Sequence, residues 1–510
     1  MADAYSEKKP RGFLRDYTAP AAALLILAAL IFAARLHTYH EPYDRDITTY
    51  AVIAHEMING RLLYTDLWDH KPPSIYLTYA AAELAAGYGR DAVFLLNILA
   101  ALATLAGVYF AARAVGGGPA AAFWAAVFWA AVSGSFRLQA NQPNSEVFIN
   151  ALMVWAFALA ASTRSDRGGA ARFIAAGLLL AAASTYKQVA VVGALALCCC
   201  HLYYAEDRRR AIGHVLLVGV TGAAVWAAVF AYFKAAGRFD DFYRIVFEYN
   251  SHYVGSIAKD IAWAAGPGII KLFDVIRSIA ILPALGLAGL AVGFREHKRQ
   301  WIWIAAFTAA CYIEVAMQGR FFNHYYQLLL PIFCVAAGCA VAEFGRSITT
   351  FSPKAVAQAG GYALLLLLCF EMPVYLKPAV EWSRARYGEE FIESMRIGGE
   401  INDVLAPDES FYEWGPETGL YFASGRSPQS GVFLVRALLD GPYKDDLNRR
   451  VIRDLETKPP ELFIVNPKYP REGPVYEWFE SRYAPYPGPP EPGTFELYAL
   501  RGGRLLSGKP

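Results

Sequence analysis

Long apolar stretches alternate with short polar connections between residues 19 and 376 of the chain. Eleven of these stretches have about 17 to 25 residues, the length that an α-helix needs to cross a bilayer. They lie at 19–37, 91–113, 118–134, 146–162, 171–187, 188–204, 211–234, 267–293, 301–318, 325–345 and 358–376. The pattern predicts a polytopic α-helical membrane protein with about eleven transmembrane helices.

A further apolar stretch, "PSIYLTYAAAELAAGY" at residues 73–88, does not fit this series. Counting it as a span would move "EDRRR" at 206–210 to the outer side, against the tendency of basic loops to stay in the cytoplasm. We therefore predict a short or re-entrant helix whose two ends lie on the outer side.

Basic residues determine the predicted orientation. Lys8, Lys9 and Arg11 precede the first apolar stretch, and "EDRRR" and "REHKR" fall in alternate later connections. The positive-inside rule then predicts a cytoplasmic N-terminus. It places 38–90, 135–145, the turn near Lys187, 235–265, 319–324 and everything after about residue 377 outside the cytoplasm.

The sequence changes character after residue 376. Between 377 and 510, "SFYEWG", "LFIVN" and "TFELYAL" are typical of strands, and "DLNRRVIRDLE" has the spacing of an amphipathic helix. We predict two domains, a transmembrane domain at 1–376 and a small extracytoplasmic α/β domain at 377–510. The second has no Gly-rich phosphate loop and no nucleophile elbow.

Composition agrees with a membrane location. Of 510 residues, 56% are hydrophobic and 18% are charged, and the formal net charge is +2. A soluble chain of this length needs more charged surface, so membrane lipids are expected partners. The small net charge argues against a nucleic-acid partner, which requires a concentrated basic face.

The loop at 38–90 carries unusual chemistry for a membrane connection. "DITTYAVIAHEMING" has helical spacing, and Asp46 occupies the expected N-cap position. Asp46 has two interpretations, a cap alone or a functional acid, and the second is favoured because Asp44 adds a carboxylate close to the membrane. Lys71 either snorkels to the headgroups or is aimed by the stiff Pro72-Pro73 that follows it.

These residues resemble a known family. Asp46, then Tyr50-Ala51, then "NG" and "YTDLWDHKPP", is similar to the first outer loop of GT-C glycosyltransferases. The branch is the bacterial one with the aminoarabinose transferase of lipid A and the protein O-mannosyltransferases. Ile47 stands where that family usually has a glutamate, and Asp44 supplies a second acid instead.

Later segments resemble the same family in the same order. "FRLQANQPNSEVF" is similar to a second outer loop with an acid at the foot of a helix, here Glu146. "TYKQVA" matches a lysine at the outer end of a hairpin, here Lys187. "GRFFNHYYQLLLP" is similar to a run before a late helix, with matches at Arg320, His324 and Tyr325.

The resemblance implies a GT-C-like integral-membrane glycosyltransferase of the cytoplasmic (inner) membrane. Such an enzyme moves a sugar from a polyprenyl-phosphate donor to a lipid, glycan or protein acceptor on the outer face, with inversion. It implies Asp46 as the catalytic base and Glu146 as a second catalytic acid that orients the acceptor or shares a metal. The implied substrate-binding residues are Asp44, Tyr50, Lys71, Lys187, Arg320, His324 and Tyr325.

Several alternatives stay open at this point. A divalent cation, Mg²⁺ or Mn²⁺, has candidate ligands in Asp44, Asp46 and Glu146, but the numerous cations favour a site with no obligatory cofactor. An oligosaccharide ligase or oligosaccharyltransferase, or a non-enzymatic transporter of lipid-linked sugars, is the rival function. The aromatic segment 235–265 is either an interfacial belt or a flap over the site.

Overall fold

The computed structural model describes residues 15–162, 169–346 and 352–507. Lys8, Lys9 and Arg11, on which the predicted orientation partly depends, lie outside the described residues. So does part of the connections that follow residues 162 and 346.

The first part of the chain is helical, with short connections. Its helices are α1 (Arg15–His37), α2 (Arg45–Ile58), α3 (Ser74–Ala86), α4 (Arg90–Ala114), α5 (Gly118–Val132), α6 (Ser145–Ala161), α7 (Gly169–Ser184), α8 (Val191–Tyr204) and α9 (Arg208–Ala235). α2 and α3 lie in the loop at 38–90, which we call the first loop. α3 covers the stretch predicted to be re-entrant, and its 13 residues are fewer than a bilayer crossing needs.

The middle of the chain contains shorter helices followed by long ones. They are α10 (Phe239–Tyr243), a π-helical turn (Arg244–Tyr249), α11 (Asn250–Val254), α12 (Ile257–Ala265), α13 (Gly268–Ile276), α14 (Ile281–Gly293), α15 (Lys298–Met317), α16 (Leu330–Arg346) and α17 (Pro353–Tyr375). A 3₁₀ turn, Asn323–Leu329, leads into α16. Residues 235–265, which we call the wall segment, form no long helix.

The membrane prediction is confirmed. Among the described residues, six helices are long and apolar enough to cross a bilayer: α1, α4, α9, α15, α16 with its 3₁₀ turn, and α17. The pair formed by α13 and α14, bent by 101°, adds a seventh. Four shorter apolar helices, α5 to α8, occupy the other predicted stretches, so the predicted count of about eleven includes them.

Small residues bring the membrane helices close together. α16 is buried on nearly all sides and packs against α4, α5 and α14. A Cβ atom at Gly338 would lie 2.4 Å from the carbonyl oxygen of Ala121, so only glycine allows α16 to approach α5 this closely. Such contacts drive helix association in lipid, where apolar side chains gain nothing by leaving the solvent.

The C-terminal region, 377–507 in the structure, is a small α/β unit that we call the tail. Its elements are α18 (Ala379–Tyr387), α19 (Glu390–Val404), β1 (Phe411–Trp414), α20 (Gly419–Ser424), α21 (Arg436–Leu439), α22 (Lys444–Thr457), β2 (Leu462–Val465), α23 (Pro474–Arg482), β3 (Tyr483–Pro485), β4 (Glu496–Leu500) and α24 (Arg504–Ser507). The strand order is β1-β2-β4-β3, with β1 parallel to β2 and the other pairs antiparallel.

The predicted strands and the amphipathic helix of the tail are confirmed as β1, β2, β4 and α22. Leu447, Val451 and Leu455 are the buried stripe of α22. β3 was not predicted because three residues are too few to show an alternating pattern.

The tail packs directly on the first loop. One hydrophobic core contains Ile47 of α2 together with Trp414 and Leu420 of the tail. The hydroxyls of Thr48 and Thr418 lie 2.7 Å apart. The division at residues 376 and 377 stays a prediction, but the first loop and the tail share one core.

Candidate active site

A cavity of about 1180 Å³ lies where the first loop, the wall segment, the end of α15 and the tail meet. Of the residues that the sequence singled out, those that line it are Asp44, Asp46, Lys71, Lys187, Arg320, His324 and Tyr325. They come from segments that are up to some 280 positions apart in the chain. The structure therefore brings most of the predicted site residues to one place.

The start of α2 determines which aspartate is free. The helix begins at Arg45, and Asp44 is its N-cap, with Oδ1 accepting a hydrogen bond from the backbone N–H of Asp46 at 2.8 Å. The prediction that Asp46 occupies the cap position is wrong, because Asp44 has the extended backbone (φ −58°, ψ 150°) that a cap requires. The carboxylate of Asp46 is consequently available to the cavity.

Asp46 is surrounded by donors and cations. Its Oδ2 lies 3.5 Å from Nζ of Lys71, accepts from the Tyr50 hydroxyl at 3.3 Å and lies 3.5 Å from Nδ2 of Asn144. Burial alone would raise the pKa of Asp46, but the charges of Lys71 and His324 offset that effect and hold the pKa below its usual range. Asp46 is therefore ionised at neutral pH.

Lys71 points into the cavity between two aspartates. Its side chain is 14% exposed, and its Nζ lies 4.9 Å from the centre of the Tyr50 ring. Burial alone would lower the pKa of Lys71, but Asp46 and Asp69 raise it above its usual value. This geometry favours the aimed lysine over snorkelling to the headgroups.

Asp69 is a cavity residue that we did not assign. It accepts a 2.6 Å hydrogen bond from the hydroxyl of Tyr76. Burial acts to raise the pKa of Asp69, but Lys71 and the hydrogen bond from His70 lower it to about 2. The signal was present in the sequence, since Asp69 stands two residues before Lys71.

Lys187, which lines the cavity, forms a buried pair with Glu146 behind it. Nζ of Lys187 donates to Oε1 of Glu146 at 2.5 Å and to Oε1 of Gln318 at 2.8 Å, and lies 4.3 Å from the centre of the Tyr325 ring. Glu146 is fully buried and does not line the cavity. Lys187 thus separates Glu146 from the cavity, and this position favours an indirect role for Glu146 over contact with a substrate.

Tyr50 and the cap of α6 have supporting positions. Tyr50 is fully buried, is not part of the cavity lining and donates to Oδ1 of Asn144 at 3.1 Å. Asn144 is itself the N-cap of α6, accepting from the backbone N–H of Ser145. Tyr50 orients Asp46 from behind, which corrects its predicted role as a substrate contact.

Arg320 and His324 follow a sharp turn at the end of α15. Gly319 (φ 67°) and Phe321 (φ 49°) both have left-handed backbones, and this reverses the chain toward the cavity. Nδ1 of His324 lies 3.2 Å from Oε1 of Gln139. Arg320 is exposed and donates to the backbone carbonyl of Tyr253 at 2.8 Å.

The predicted metal ligands Asp44, Asp46 and Glu146 each have another partner among the described residues. Asp46 is paired with Lys71, Oδ1 of Asp44 caps α2, and Glu146 is held by Lys187. In the described part of the chain, a group of acids and histidine that could hold a metal ion is formed by Glu296, His297 and Glu343, whose ligand atoms lie within 4.8 Å of one another. None of these three residues lines the cavity. The trio of Asp44, Asp46 and Glu146 stays a prediction as a metal site, and these contacts do not favour it.

The wall segment forms one side of the cavity. Tyr249, Tyr253 and Trp263 line it, and the segment is attached to the first loop by Nδ2 of Asn250, which donates to the His70 carbonyl at 2.6 Å. Of the two interpretations of 235–265, this position favours the flap. Three other cationic residues of the lining were not assigned from the sequence: Arg45 of α2, Lys271 of α13 and Arg436 of the tail. Lys271 and Arg436 lie in no recognisable motif.

Comparisons with known proteins come from structure rather than sequence. No protein-family model matches the chain, and no curated protein matches it in a sequence search.

Two kinds of solved structure are similar to this chain. ArnT from Cupriavidus metallidurans bound to undecaprenyl phosphate matches with a TM-score of 0.63 and 15% identity, over 95% of this chain and 98% of ArnT. The archaeal oligosaccharyltransferase AglB from Archaeoglobus fulgidus, in complex with an inhibitory peptide and a dolichol-phosphate, matches with a TM-score of 0.51 and 14% identity, over 89% and 70% of the two chains. At such identities the likeness is one of fold, and the chain has the GT-C-like membrane fold that ArnT and AglB share.

Proposed function

We propose that the chain is a glycosyltransferase that moves a sugar from a polyprenyl-phosphate donor to a lipid, glycan or protein acceptor on the outer face of the inner membrane. The observation that carries this proposal is the ionised Asp46 at the wall of a large cavity, 3.5 Å from Lys71 and beside His324 and Lys187. The likeness to ArnT with bound undecaprenyl phosphate supports the donor class.

The phosphate of the donor is the leaving group, and it requires fixed cations. Lys71, Lys187 and His324 supply them in our proposal. When the phosphate binds, Lys71 acquires a second anion to contact, and its hold on Asp46 weakens. The pKa of Asp46 then rises toward the range in which a carboxylate is an effective base.

The chemical step follows from this arrangement. The acceptor hydroxyl attacks the anomeric carbon while its proton passes to Asp46, and the bond between that carbon and the phosphate oxygen breaks. The electron pair leaves with the polyprenyl phosphate, whose charge the cations stabilise. Attack opposite the leaving phosphate inverts the anomeric configuration.

The orientation in the membrane is part of the proposal. The basic clusters that begin α9 (Arg208–Arg210) and α15 (Lys298, Arg299) lie at the ends of these helices away from the cavity, since α9 leads into the wall segment and α15 ends at Met317 in the cavity lining. With basic ends in the cytoplasm, the cavity and the tail are extracytoplasmic. Side-chain cations, rather than Mg²⁺ or Mn²⁺, neutralise the phosphate, so chelation with EDTA should leave activity unchanged.

The test uses the purified full-length protein in detergent with a panel of radiolabelled polyprenyl-phosphate sugars. Release of polyprenyl phosphate from one donor, absent in Asp46→Asn, supports the proposal and identifies the sugar. Release only from diphosphate-linked oligosaccharides would favour the oligosaccharyltransferase or ligase function. Movement of intact donor across vesicles without release would favour a transporter.

A further inference from the structure

The cations around the cavity differ in whether a carboxylate neutralises them. Lys71 is paired with Asp46 and Lys187 with Glu146. Arg320 and Arg436 also line the cavity and are exposed, yet within residues 15–162, 169–346 and 352–507 neither has a carboxylate oxygen within 4.0 Å. Together with Lys271, whose Nζ donates to Oδ1 of Asn323 at 3.0 Å, they are lining cations that have no acidic partner among the described residues.

The two guanidinium groups share one aromatic ring. The Cζ atom of Arg320 lies 4.6 Å from the centre of the Tyr253 ring, and that of Arg436 lies 5.2 Å from the same centre. Packing against an aromatic face fixes a guanidinium and leaves its N–H edge free to donate. Tyr253 therefore contacts two arginines from distant parts of the chain.

Contacts between the tail and the wall segment keep Arg436 in place. Arg436 begins α21, and the residue before it donates a backbone hydrogen bond to the carbonyl of Gly415 at 3.0 Å. The hydroxyl of Tyr443 donates to Glu248, and Nε2 of His252 lies 3.7 Å from Oδ1 of Asp440. The tail thus brings an arginine to the cavity that no membrane helix supplies.

Two positive charges that contact one ring repel each other, and an anion bound near both offsets that repulsion. Guanidinium groups are suited to this because their paired N–H donors match the oxygens of a phosphate or carboxylate. We propose that Arg320 and Arg436 form an outer anion subsite that binds a second phosphate or carboxylate of the substrates, distinct from the phosphate that leaves beside Lys71. The resemblance implies that Arg320 binds the leaving phosphate. In this proposal Arg320 instead binds the second anionic group, together with Arg436.

The second anionic group has two possible sources with the same chemistry. It belongs either to the acceptor, as an acidic group on a glycolipid or glycan, or to the donor, as the second phosphate of a polyprenyl diphosphate. The second source would replace the polyprenyl-phosphate donor of the proposed function. This inference rests on the proposed function for the place of the leaving phosphate. The subsite itself is measured by binding and does not require turnover.

The experiment measures binding by full-length protein in detergent with isothermal titration calorimetry. Two probes are undecaprenyl phosphate and undecaprenyl diphosphate. The third probe, methyl phosphate, is added to protein that is already saturated with undecaprenyl phosphate. Arg436→Gln is compared with Arg449→Gln, a control in the same tail whose side chain is 68% exposed and paired with Asp446. Equal unfolding temperatures of the two variants show that both are folded.

If the second anionic group belongs to the donor, wild type should bind undecaprenyl diphosphate more tightly than undecaprenyl phosphate. Arg436→Gln should then weaken only the binding of the diphosphate, by about tenfold, because one charge-assisted hydrogen bond is lost. If the group belongs to the acceptor, Arg436→Gln should weaken the binding of methyl phosphate by a similar factor. The binding of both undecaprenyl lipids should then be unchanged. The subsite is overturned if Arg436→Gln matches the control for all three probes. The subsite is also overturned if Arg436→Gln weakens the binding of undecaprenyl phosphate as much as that of the diphosphate or of methyl phosphate. Arg436 would then bind the leaving phosphate.

Because these measurements need no sugar transfer, the two proposals fail separately. A protein that releases nothing from any donor, yet binds the second anion through Arg436, would contradict the glycosyltransferase and retain the subsite. A protein that transfers a sugar normally, but shows no effect of Arg436→Gln on binding, would retain the enzyme and remove the subsite.

Discussion

Replacing Lys71 by methionine tests the link between the cation and the base. The substitution removes the charge that lies 3.5 Å from Asp46 and keeps most of the side-chain length. In the folded protein, Lys71 helps to hold the pKa of Asp46 below its usual range, so its loss should raise that pKa. Asp46 would then be protonated at a higher pH, and activity on the acidic side would be lost earlier.

The size of the effect follows from the geometry. At 3.5 Å, Coulomb's law with an effective dielectric constant of about 20 gives roughly 4 to 5 kcal/mol. The carboxylate of Asp46 is 30% exposed, so water screens part of this interaction. We therefore expect the acidic limb of the kcat/KM profile to move to higher pH by about 1 to 2 units. This is the lower part of the range of pKa changes found when a carboxylate loses a neighbouring cation.

The assay is the release of polyprenyl phosphate from the donor that wild type accepts, followed from about pH 2 to pH 9 so that the range reaches below the ordinary pKa of an aspartate. The profile of kcat/KM is used because it reports the pKa values of the free enzyme, in which the Asp46–Lys71 pair is intact. The rate itself should fall about 10²- to 10³-fold, because a ligand of the leaving phosphate is also lost. Lys187→Met, whose charge is already paired with Glu146, should move the limb less.

An active Lys71→Met variant whose acidic limb coincides with that of wild type would refute this reasoning. Asp46 would then not be the group that limits activity at low pH, or Lys71 would not control its ionisation. A larger movement in Lys187→Met than in Lys71→Met would contradict the assignment of the nearest cation.

Four further substitutions, one of them a control, test other parts of the structure. Glu146→Gln should lower donor release by less than about a hundredfold, since Glu146 acts through Lys187 rather than on the substrate; a loss as large as a missing general base, about 10⁴-fold, would contradict this. Burial raises the pKa of Glu413, so the folded protein binds its proton more tightly than the unfolded protein does. The resulting stabilisation is complete below the pKa that Glu413 has in the unfolded protein and is lost as the pH rises above it, so Glu413→Gln should flatten the fall in unfolding temperature above about pH 5. In α17, a Cβ atom at Gly360 would lie 2.1 Å from the ring of Trp124, whereas a Cβ atom at Gly361 meets nothing within 4 Å. In thermal unfolding in detergent, Gly360→Ala should therefore destabilise the protein by about 1 to 3 kcal/mol. The control Gly361→Ala should be neutral or stabilise it by up to about 1 kcal/mol.

The membrane helices and the first loop were predictable because their signals are local. Apolar length identifies a span, and "YTDLWDHKPP" places Lys71 beside acids within one short segment. The identity of the cap of α2 was not predictable, since Asp44 and Asp46 stand two residues apart and only the backbone shows which of them precedes the helix.

Features that depend on distant packing could not be predicted. Glu146 has the expected position at the foot of α6, yet the side chain is covered by Lys187, which arrives from the following helical hairpin. Arg436 reaches the cavity only because the tail shares a core with α2 and α3. No spacing within the sequence connects residue 436 to residue 253.

The most direct measurement of the central claim is a comparison of Asp46→Asn with Asp44→Asn under single-turnover conditions with saturating donor. Asparagine caps helices as well as aspartate does, so Asp44→Asn removes a neighbouring charge and keeps α2 intact. If Asp46 is the base, Asp46→Asn binds polyprenyl phosphate but transfers the sugar at least about a hundredfold more slowly, while Asp44→Asn loses less than about tenfold. Equal rates in the two variants, both close to wild type, would contradict a catalytic role for Asp46.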